Sequence, residues 1–154
     1  MFNIVLHQPE IPPNTGNIIR LCANTESKLH LIHPLGFVIS EKNLERAALD
    51  YGEGVEIIHH KNFEAFLQNT QLRSYYSVST KGEHMMNDIN IKAGDYLMFG
   101  SETKGLPKEC LTHEKCKKVI RIPMADGSRS LNLSNSVAII VYFALGQNDF
   151  IGLS

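Results

Sequence analysis

A polar loop near the C-terminus carries the side chains best suited to hold a ligand. It follows an apolar run at residues 119–122 that stops at Pro123, and it precedes a nearly all-apolar segment, residues 137–145. Small hydroxyl and amide side chains offer hydrogen-bond donors and acceptors without bulk. The loop and the residues that follow it contain six of them: Ser128, Ser130, Asn132, Ser134, Asn135 and Ser136.

The order of these parts predicts a strand, a loop and a buried helix. A Ser or Asn near 132–135 is expected as the N-cap of the helix and Gly146 as its C-terminal stop. A strand end that leads through a polar loop into a helix is where open α/β sheets bind ligands. The same residues are also explained by a solvated loop before a capped core helix. This stretch alone does not decide between a ligand-binding loop and a solvated one.

A single arginine stands in an amide-lined polar strip after the first predicted strand. Prolines at positions 9, 12 and 13 predict an irregular turn, and Asn14 or Thr15 is expected to cap the helix that follows. On that helix Asn17, Arg20 and Asn24 share one face. Arg20 is a candidate contact for an anion or a ribose phosphate; the alternative is an exposed arginine on an ordinary amphipathic helix.

Two glycines bracket the loop that follows another predicted strand. Gly100 ends an apolar run, and Gly105 comes five residues later. Glycines there let backbone approach a flat or charged ligand closely. The spacing resembles a phosphate-binding P-loop, but Leu106 and Pro107 stand where that loop needs Lys and Ser or Thr. No G-x-G-x-x-G follows the first strand, so a dinucleotide-binding fold is disfavoured.

Composition narrows the class of protein. The 154 residues, 43% hydrophobic and 20% charged, fit one soluble domain over residues 1–154. A net charge of -1 argues against a general nucleic-acid coat protein but allows a local basic patch. Cys22, Cys110 and Cys116 show neither a disulfide framework nor zinc-ligand spacing, which suits a reducing compartment. With no signal peptide and an apolar run too short to cross a bilayer, we expect a cytoplasmic protein with no membrane association.

Alternating apolar runs and helical patterns predict an α/β fold. Six strands are expected at 2–7, 28–33, 55–59, 75–79, 96–99 and 119–122, and helices at about 15–24, 41–49, 62–69, 107–115 and 134–145. Several strands are apolar on successive residues, as in strands covered on both faces. We therefore predict a single domain with a mainly parallel sheet and helices on both faces.

Three patches, at residues 14–20, 97–107 and 122–138, together resemble the sequence motifs of the SPOUT superfamily of RNA methyltransferases, in its SpoU-like ribose 2′-O branch. Within that branch the chain is similar to the small, single-domain tRNA wobble-position (cytidine/uridine) 2′-O-methyltransferases. The likeness is carried by PEIPPNTGNIIRLCANT at 9–25, DYLMFGSETKGLP at 95–107 and SRSLNLSNSV at 128–137. It covers nearly the whole chain with three long motifs in order, which makes it a specific signal.

The resemblance implies a fold, a cofactor and partners. The family fold threads its C-terminal part into a deep trefoil knot, and its members are homodimers with the site near the subunit interface. The cofactor would be S-adenosylmethionine, with S-adenosylhomocysteine as product and no metal. The substrate would be the ribose 2′-hydroxyl of the wobble nucleotide, a cytidine or uridine type, in the anticodon stem-loop of tRNA, with leucine tRNAs expected.

The resemblance also assigns roles to residues by motif position. The catalytic group would be Arg20, with Asn14, Glu102, Ser130 and Asn132 as the polar residues that organise the site. The cofactor would be bound by Val78, Gly100, Ile122 and Ser130, with Met124 and Leu131 as neighbours. RNA would be contacted by Arg20, Lys81, Lys104 and Arg129, so that binding weakens as salt rises.

The implied reaction is an in-line attack of a ribose 2′-hydroxyl on a sulfonium methyl group. Holding the two reactants in line can supply roughly 7–11 kcal/mol of barrier reduction. No metal is needed because the leaving group departs as a neutral thioether. A guanidinium is a poor general base, so Arg20 is expected to grip a phosphate or stabilise the developing oxyanion.

Two other classes of protein compete with the enzyme. One is a non-catalytic RNA- or nucleotide-binding α/β module that keeps the fold without the activity. The joint presence of Arg20, Glu102, Ser130 and Asn132 favours the enzyme over this module. The other is a flavodoxin-like protein, which the lack of a phosphate-cradling loop after the first strand disfavours.

Overall fold

The computed structural model describes residues 1–38, 40, 42–43, 46, 50 and 54–154. In this part of the chain, seven strands form one sheet in which every pairing is parallel. The strands are β1 (Asn3–His7), β2 (Lys28–Ile32), β3 (Ile57–His60), β4 (Tyr75–Val78), β5 (His84–Met85), β6 (Tyr96–Phe99) and β7 (Cys116–Arg121). The helices are α1 (Pro12–Asn24), α2 (Phe63–Thr70), α3 (Lys108–Thr112) and α4 (Leu133–Gln147), with a 3₁₀ turn at Met86–Asp88.

Both faces of the sheet are covered, as predicted. In β1, Ile4 and Leu6 belong to the core cluster that α1 and α4 complete, whereas Val5 points into a second cluster with residues of α2 and α3. Successive side chains of a strand point to opposite faces, which explains the continuous apolar runs. The strand order β3-β2-β1-β6-β4-β7-β5 places β6, β4 and β7 side by side.

Several predicted boundaries differ from those of the structure. β7 begins at Cys116, not at residue 119, because Lys117 and Lys118 are strand residues with exposed side chains that break the apolar pattern. β5 is missing from the prediction, since two residues are too few to show an alternating pattern. The helix predicted at 107–115 is only Lys108–Thr112. The helix predicted at 41–49 lies largely outside the described residues.

Helix α1 also begins earlier than predicted. It begins at Pro12, and its N-cap is Ile11, which has no side-chain cap hydrogen bond. The expected caps, Asn14 and Thr15, instead lie inside the helix and are buried. Pro12 and Pro13 have no N–H, and the N–H of Asn14 donates to the oxygen of Ile11 at 3.1 Å, so no side-chain cap is required.

Helix α4 confirms one predicted end and corrects the other. The side chain of Asn132 caps its N-terminus by accepting from the N–H of Asn135 at 3.2 Å. Gly146 does not stop the helix: it lies inside, and α4 ends at Gln147 with Asn148 as C-cap. Although α4 is the most apolar helix, no helix among the described residues is long and apolar enough to cross a membrane.

Two buried histidines on neighbouring strands form a neutral hydrogen-bonded chain. A ring nitrogen of His30 lies 3.0 Å from Nε2 of His60, and its other nitrogen lies 3.3 Å from Oδ1 of Asn3. Because the Asn3 oxygen accepts, Nε2 of His30 must donate and its Nδ1 must accept from His60. Burial, and then the nearby His60, lower the pKa of His30 to about 4, so the ring is neutral at pH 7.

The protein is expected to lose stability in acid because of His30. The pKa of His30 in the folded protein lies below its ordinary value of 6.5. The contribution of the neutral ring to the free energy of unfolding is therefore complete above pH 6.5 and falls as the pH drops towards 4. The expected loss is about 3 kcal/mol of unfolding free energy. Chemical denaturation at both pH values measures it, with His30→Gln as the comparison. An equal pH dependence in wild type and variant would contradict this role for His30.

Candidate active site

A cavity lies at the carboxyl ends of three adjacent strands. Its volume is about 470 Å³, within the range of small-molecule sites. Val78 ends β4 and pairs with both Phe99 of β6 and Ile120 of β7, so these strand ends lie together. The sequence-predicted residues that line the cavity are Asn14, Val78, Lys81, Gly100, Glu102, Lys104, Ile122, Met124, Arg129, Ser130, Leu131 and Asn132.

The wall after β6 is a tight turn that only glycine permits at its first position. An ideal Cβ on Gly100 would lie 2.1 Å from the carbonyl carbon of Gly105, which is a backbone atom and cannot swing aside. Gly105 has a φ of +67°, and its N–H donates to the oxygen of Ser101 at 2.9 Å. At Gly100 the close approach is to the backbone of the protein's own loop, and the predicted approach of backbone to a ligand stays a prediction.

A carboxylate in this turn holds the beginning of α1. The two oxygens of Glu102 accept from the N–H of Glu10 at 2.7 Å and from the N–H of Ile11 at 3.0 Å. The side-chain amide of Asn14 also donates to Glu102, at 3.3 Å. With three donors on one carboxylate, Glu102 positions the loop before α1 against the cavity.

Asn14 extends this contact to the third wall. Its Oδ1 accepts from Nδ2 of Asn132 at 3.0 Å, and Oδ1 of Asn132 accepts from the N–H of Asn135 and from the hydroxyl of Ser134. Asn14 is buried, so its amide exchanges few hydrogen bonds with water. One continuous hydrogen-bonded chain thus joins the three sequence patches around the cavity.

A second carboxylate, Glu10, which no pattern in the sequence singled out, tightens the same junction. Oε1 of Glu10 accepts from the hydroxyl of Thr103 at 2.7 Å and from its N–H at 3.3 Å. Hydrogen bonds from the Thr103 hydroxyl, then from Ser101, lower the pKa of the Glu10 carboxyl. Glu10 and Glu102 therefore reach across the junction in opposite directions. The only sequence feature at position 10 was an acidic residue next to Pro9. Its partner, Thr103, lies 93 residues away and could not be identified from the sequence.

Substitution of Glu102 with Gln is expected to loosen the junction. Both carboxylate oxygens receive donors, so an amide must turn its NH₂ group towards at least one N–H. Hydrogen bonds to charged groups contribute about 1.5–3 kcal/mol, and Glu102 is partly exposed, so we expect a loss of about 2 kcal/mol of unfolding free energy. Denaturant unfolding measures this loss. The exposed Glu114→Gln is the matched control, and equal stability of the two variants would contradict the proposed contacts.

The mouth of the cavity is cationic. Lys81, Lys104 and Arg129 line it, and all three are exposed. Lys81 lies in a turn held by the N–H of Gly82, which donates to Ser79, while Gly82 packs against the backbone of Ile120. These positions place three positive charges beside the polar loop.

Arg20 is the one predicted site residue that does not line the cavity of its own chain. It lies on the exposed face of α1 with Asn17 and Asn24, as the helical pattern predicts. A helix rises 1.5 Å per residue, so Arg20 lies roughly 9 Å along α1 from Asn14. The opposite face is core: Cys22 is buried, and burial raises the pKa of its thiol to about 12.

Comparison with known proteins decides the family. The model of the SpoU rRNA Methylase family matches residues 1–142. The chain belongs to this family. It is 52% identical over 152 residues to a tRNA (cytidine(34)-2'-O)-methyltransferase of Saccharophagus degradans, and the match covers 99% of each chain.

Solved structures of family members have the same fold. A structure described under 2-OH methylation of C/U34 on tRNA matches with a TM-score of 0.87 and 40% identity, over 97% of both chains. An AdoMet-bound rRNA methyltransferase from Sinorhizobium meliloti matches with a TM-score of 0.78 and 25% identity, over 94% of this chain and 56% of that one. The predicted family and α/β fold are confirmed, and the trefoil knot that the resemblance implies stays a prediction.

Proposed function

We propose that this protein transfers a methyl group from S-adenosylmethionine to the ribose 2′-hydroxyl of the wobble nucleotide, position 34, of tRNA. The observation that carries the proposal is the hydrogen-bonded chain from Glu102 through Asn14 to Asn132, which joins three motifs around one cavity. The names of the relatives at about half identity support the same reaction and a cytidine or uridine-type target. Leucine tRNAs are the expected substrates.

The cavity fits the cofactor in size and in the chemistry of its lining. Val78, at the end of β4, and Ile122, just after β7, are apolar. Gly100 has no side chain, so its backbone itself lines the cavity. Ser130 and Leu131 lie on the exposed loop at the rim, and Met124 offers a polarizable thioether wall. When bound, S-adenosylmethionine supplies an electrophilic methyl group on its sulfonium.

Glu102 acts here as a positioning residue. Three donors already occupy its carboxylate, so it is a poor acceptor for the proton of a 2′-hydroxyl. Asn14 and Asn132 transmit its position to the rim loop that carries Ser130. These three residues orient the walls of the cavity, and Arg20 remains the residue proposed to stabilise charge at the reacting oxygen.

The anticodon stem-loop would approach the cationic mouth. Lys81, Lys104 and Arg129 are exposed there, which suits contact with phosphates. Local charge of this kind explains RNA binding by a chain whose net charge is -1. A tRNA substrate also agrees with the proposed cytoplasmic location.

A homodimer would bring Arg20 to a cavity. An exposed apolar patch consists of Ile139 and Tyr142 of α4 with Phe150 and Ile151 of the C-terminal segment. Asn24, one turn beyond Arg20 on α1, shares a groove with Tyr142 and Phe150. A second copy that covered this patch would lie beside the polar strip of α1, so we propose that Arg20 serves the cavity of its partner.

Incubation with labelled S-adenosylmethionine and bulk tRNA tests the proposed function. We expect label in tRNA, and direct binding of the cofactor by calorimetry. Cofactor binding without transfer to any tRNA would favour the non-catalytic RNA-binding module. Absence of cofactor binding would reject methyl transfer by this cavity.

A further inference from the structure

We propose that His7, Glu109 and Cys110 form a site for a divalent metal ion of the zinc type, separate from the methyl-transfer cavity. A ring nitrogen of His7, a carboxylate oxygen of Glu109 and Sγ of Cys110 all lie within 4.8 Å of one another. None of these residues lines the cavity described above. The three belong to two segments, the end of β1 and helix α3.

The ligand atoms suit zinc in kind and number. An imidazole nitrogen, a thiolate and a carboxylate are the groups that bind Zn²⁺ in proteins, at about 2.0–2.3 Å. Softer thiolate and imidazole donors select against Mg²⁺ and Ca²⁺, which prefer oxygen. Three protein ligands leave a fourth tetrahedral position for water, so the site would be open and exchangeable.

Burial fixes two ligands and leaves the third free to adjust. His7 and Cys110 are buried, whereas Glu109 is exposed. Tetrahedral bonds of this length place ligand atoms roughly 3.3–3.8 Å apart, so a pair at the 4.8 Å limit must approach by about 1.0–1.5 Å. The exposed Glu109 side chain can make that movement by rotation, and it also provides the route by which the ion enters from solvent.

Metal binding at this site is expected to depend on pH. Zinc binds the thiolate form of cysteine and the neutral form of imidazole, so formation of the sulfur–metal bond releases the Cys110 proton to solvent. The apparent affinity for the ion should therefore rise with pH.

The ion would link the end of β1 to α3. Glu10 and Ile11, whose N–H groups donate to Glu102, follow His7 in the chain, while Glu109 lies just beyond the turn that carries Glu102. A metal bridge from His7 to α3 therefore ties together the same two segments that the Glu102 hydrogen bonds join. Metal that binds only the folded chain also raises the midpoint of thermal unfolding.

Titration of the metal-free protein with Co²⁺ tests the site, because a cobalt–thiolate bond gives a charge-transfer band that imidazole and carboxylate ligands do not. We expect the band to saturate at one ion per chain and to be lost in Cys110→Ser but kept in Cys116→Ser. Loss of a group that only hydrogen-bonds a metal ligand already lowers metal affinity by about 10–100-fold. Glu109 is proposed as a ligand itself, so Glu109→Gln should weaken cobalt binding by more than about tenfold. Exposed Glu114→Gln is the matched control.

Two results would overturn the proposal. One is cobalt binding without a thiolate band, which would assign the ion to histidines elsewhere, such as the paired His33 and His59 rings. The other is a band of unchanged affinity in Glu109→Gln. If Cys110→Ser fails to fold, the exposed Glu109 variant still decides the question, since its side chain takes no part in the core.

Discussion

Arg20→Ala is expected to lose methyl transfer while the protein still binds S-adenosylmethionine. Removal of one group that stabilises developing charge typically lowers kcat by about 10²–10³-fold. The cavity keeps all of its own lining residues in this variant, since Arg20 is not among them. Cofactor affinity should therefore change little. Single-turnover transfer to tRNA and calorimetry with the cofactor separate the two effects.

A matched variant makes this test specific. Arg73 is also exposed, but it precedes β4 and so lies at the opposite edge of the parallel sheet from the cavity. Arg73→Ala should retain full transfer. Arg20→Lys keeps the charge without the planar fork and should recover only part of the rate. Near-normal turnover by Arg20→Ala would remove Arg20 from the mechanism.

Mixing two inactive variants tests whether Arg20 acts across subunits. A mixed dimer of Arg20→Ala and Gly100→Ala would contain one cavity with an intact floor and an arginine from the other chain. Recovery of transfer on mixing would support the proposed arrangement. No recovery from a verified mixed dimer would place the arginine and the cavity of one site in the same chain.

Gly100→Ala is expected to abolish cofactor binding. The added Cβ would lie 2.1 Å from the carbonyl carbon of Gly105 and 2.2 Å from the nitrogen of Leu106. Both are backbone atoms, so the turn after β6 must shift as a unit. Displacement of about an ångström at an active site can lower the catalytic rate by a factor of about 10². Glu102 lies in the same turn and would also lose its alignment with α1.

Calorimetry with S-adenosylmethionine measures this effect, and circular dichroism checks that the variant is folded. Gly16→Ala is the control because its Cβ would meet no atom within 4 Å. Replacement of glycine by alanine at an unstrained position raises the free energy of unfolding by about 0.4–1 kcal/mol. This control should therefore bind the cofactor and unfold at a slightly higher temperature than the wild type. Wild-type affinity in Gly100→Ala would show that the turn tolerates displacement.

The strands of the sheet could be predicted from the sequence where successive side chains are apolar and therefore buried. Residues 4–6 are apolar on both faces, and all of them are fully buried. Lys117 and Lys118 hid the start of β7 because the strand is defined there by its backbone partners and not by its side chains. Long aliphatic stems let lysines remain at such positions, and the ammonium of Lys117 lies over the ring of Tyr76 at 5.3 Å.

The site was predictable as a set of residues but not as a set of contacts. The resemblance selected Asn14, Glu102 and Asn132, yet propensity alone assigned Asn14 to a helix cap. Its actual partners lie 88 and 118 residues away. Separations of this size leave no local pattern, so the positioning role of Glu102 became visible only with the fold.

Ribose methylation at the wobble position is tested by locating the methyl group on leucine tRNA after reaction with the wild-type protein. We predict a single 2′-O-methyl group on nucleotide 34, dependent on S-adenosylmethionine and absent when that nucleotide carries a 2′-deoxyribose. A methyl group on a base, on another nucleotide, or on the deoxy substrate would contradict ribose methylation at the wobble position by this protein.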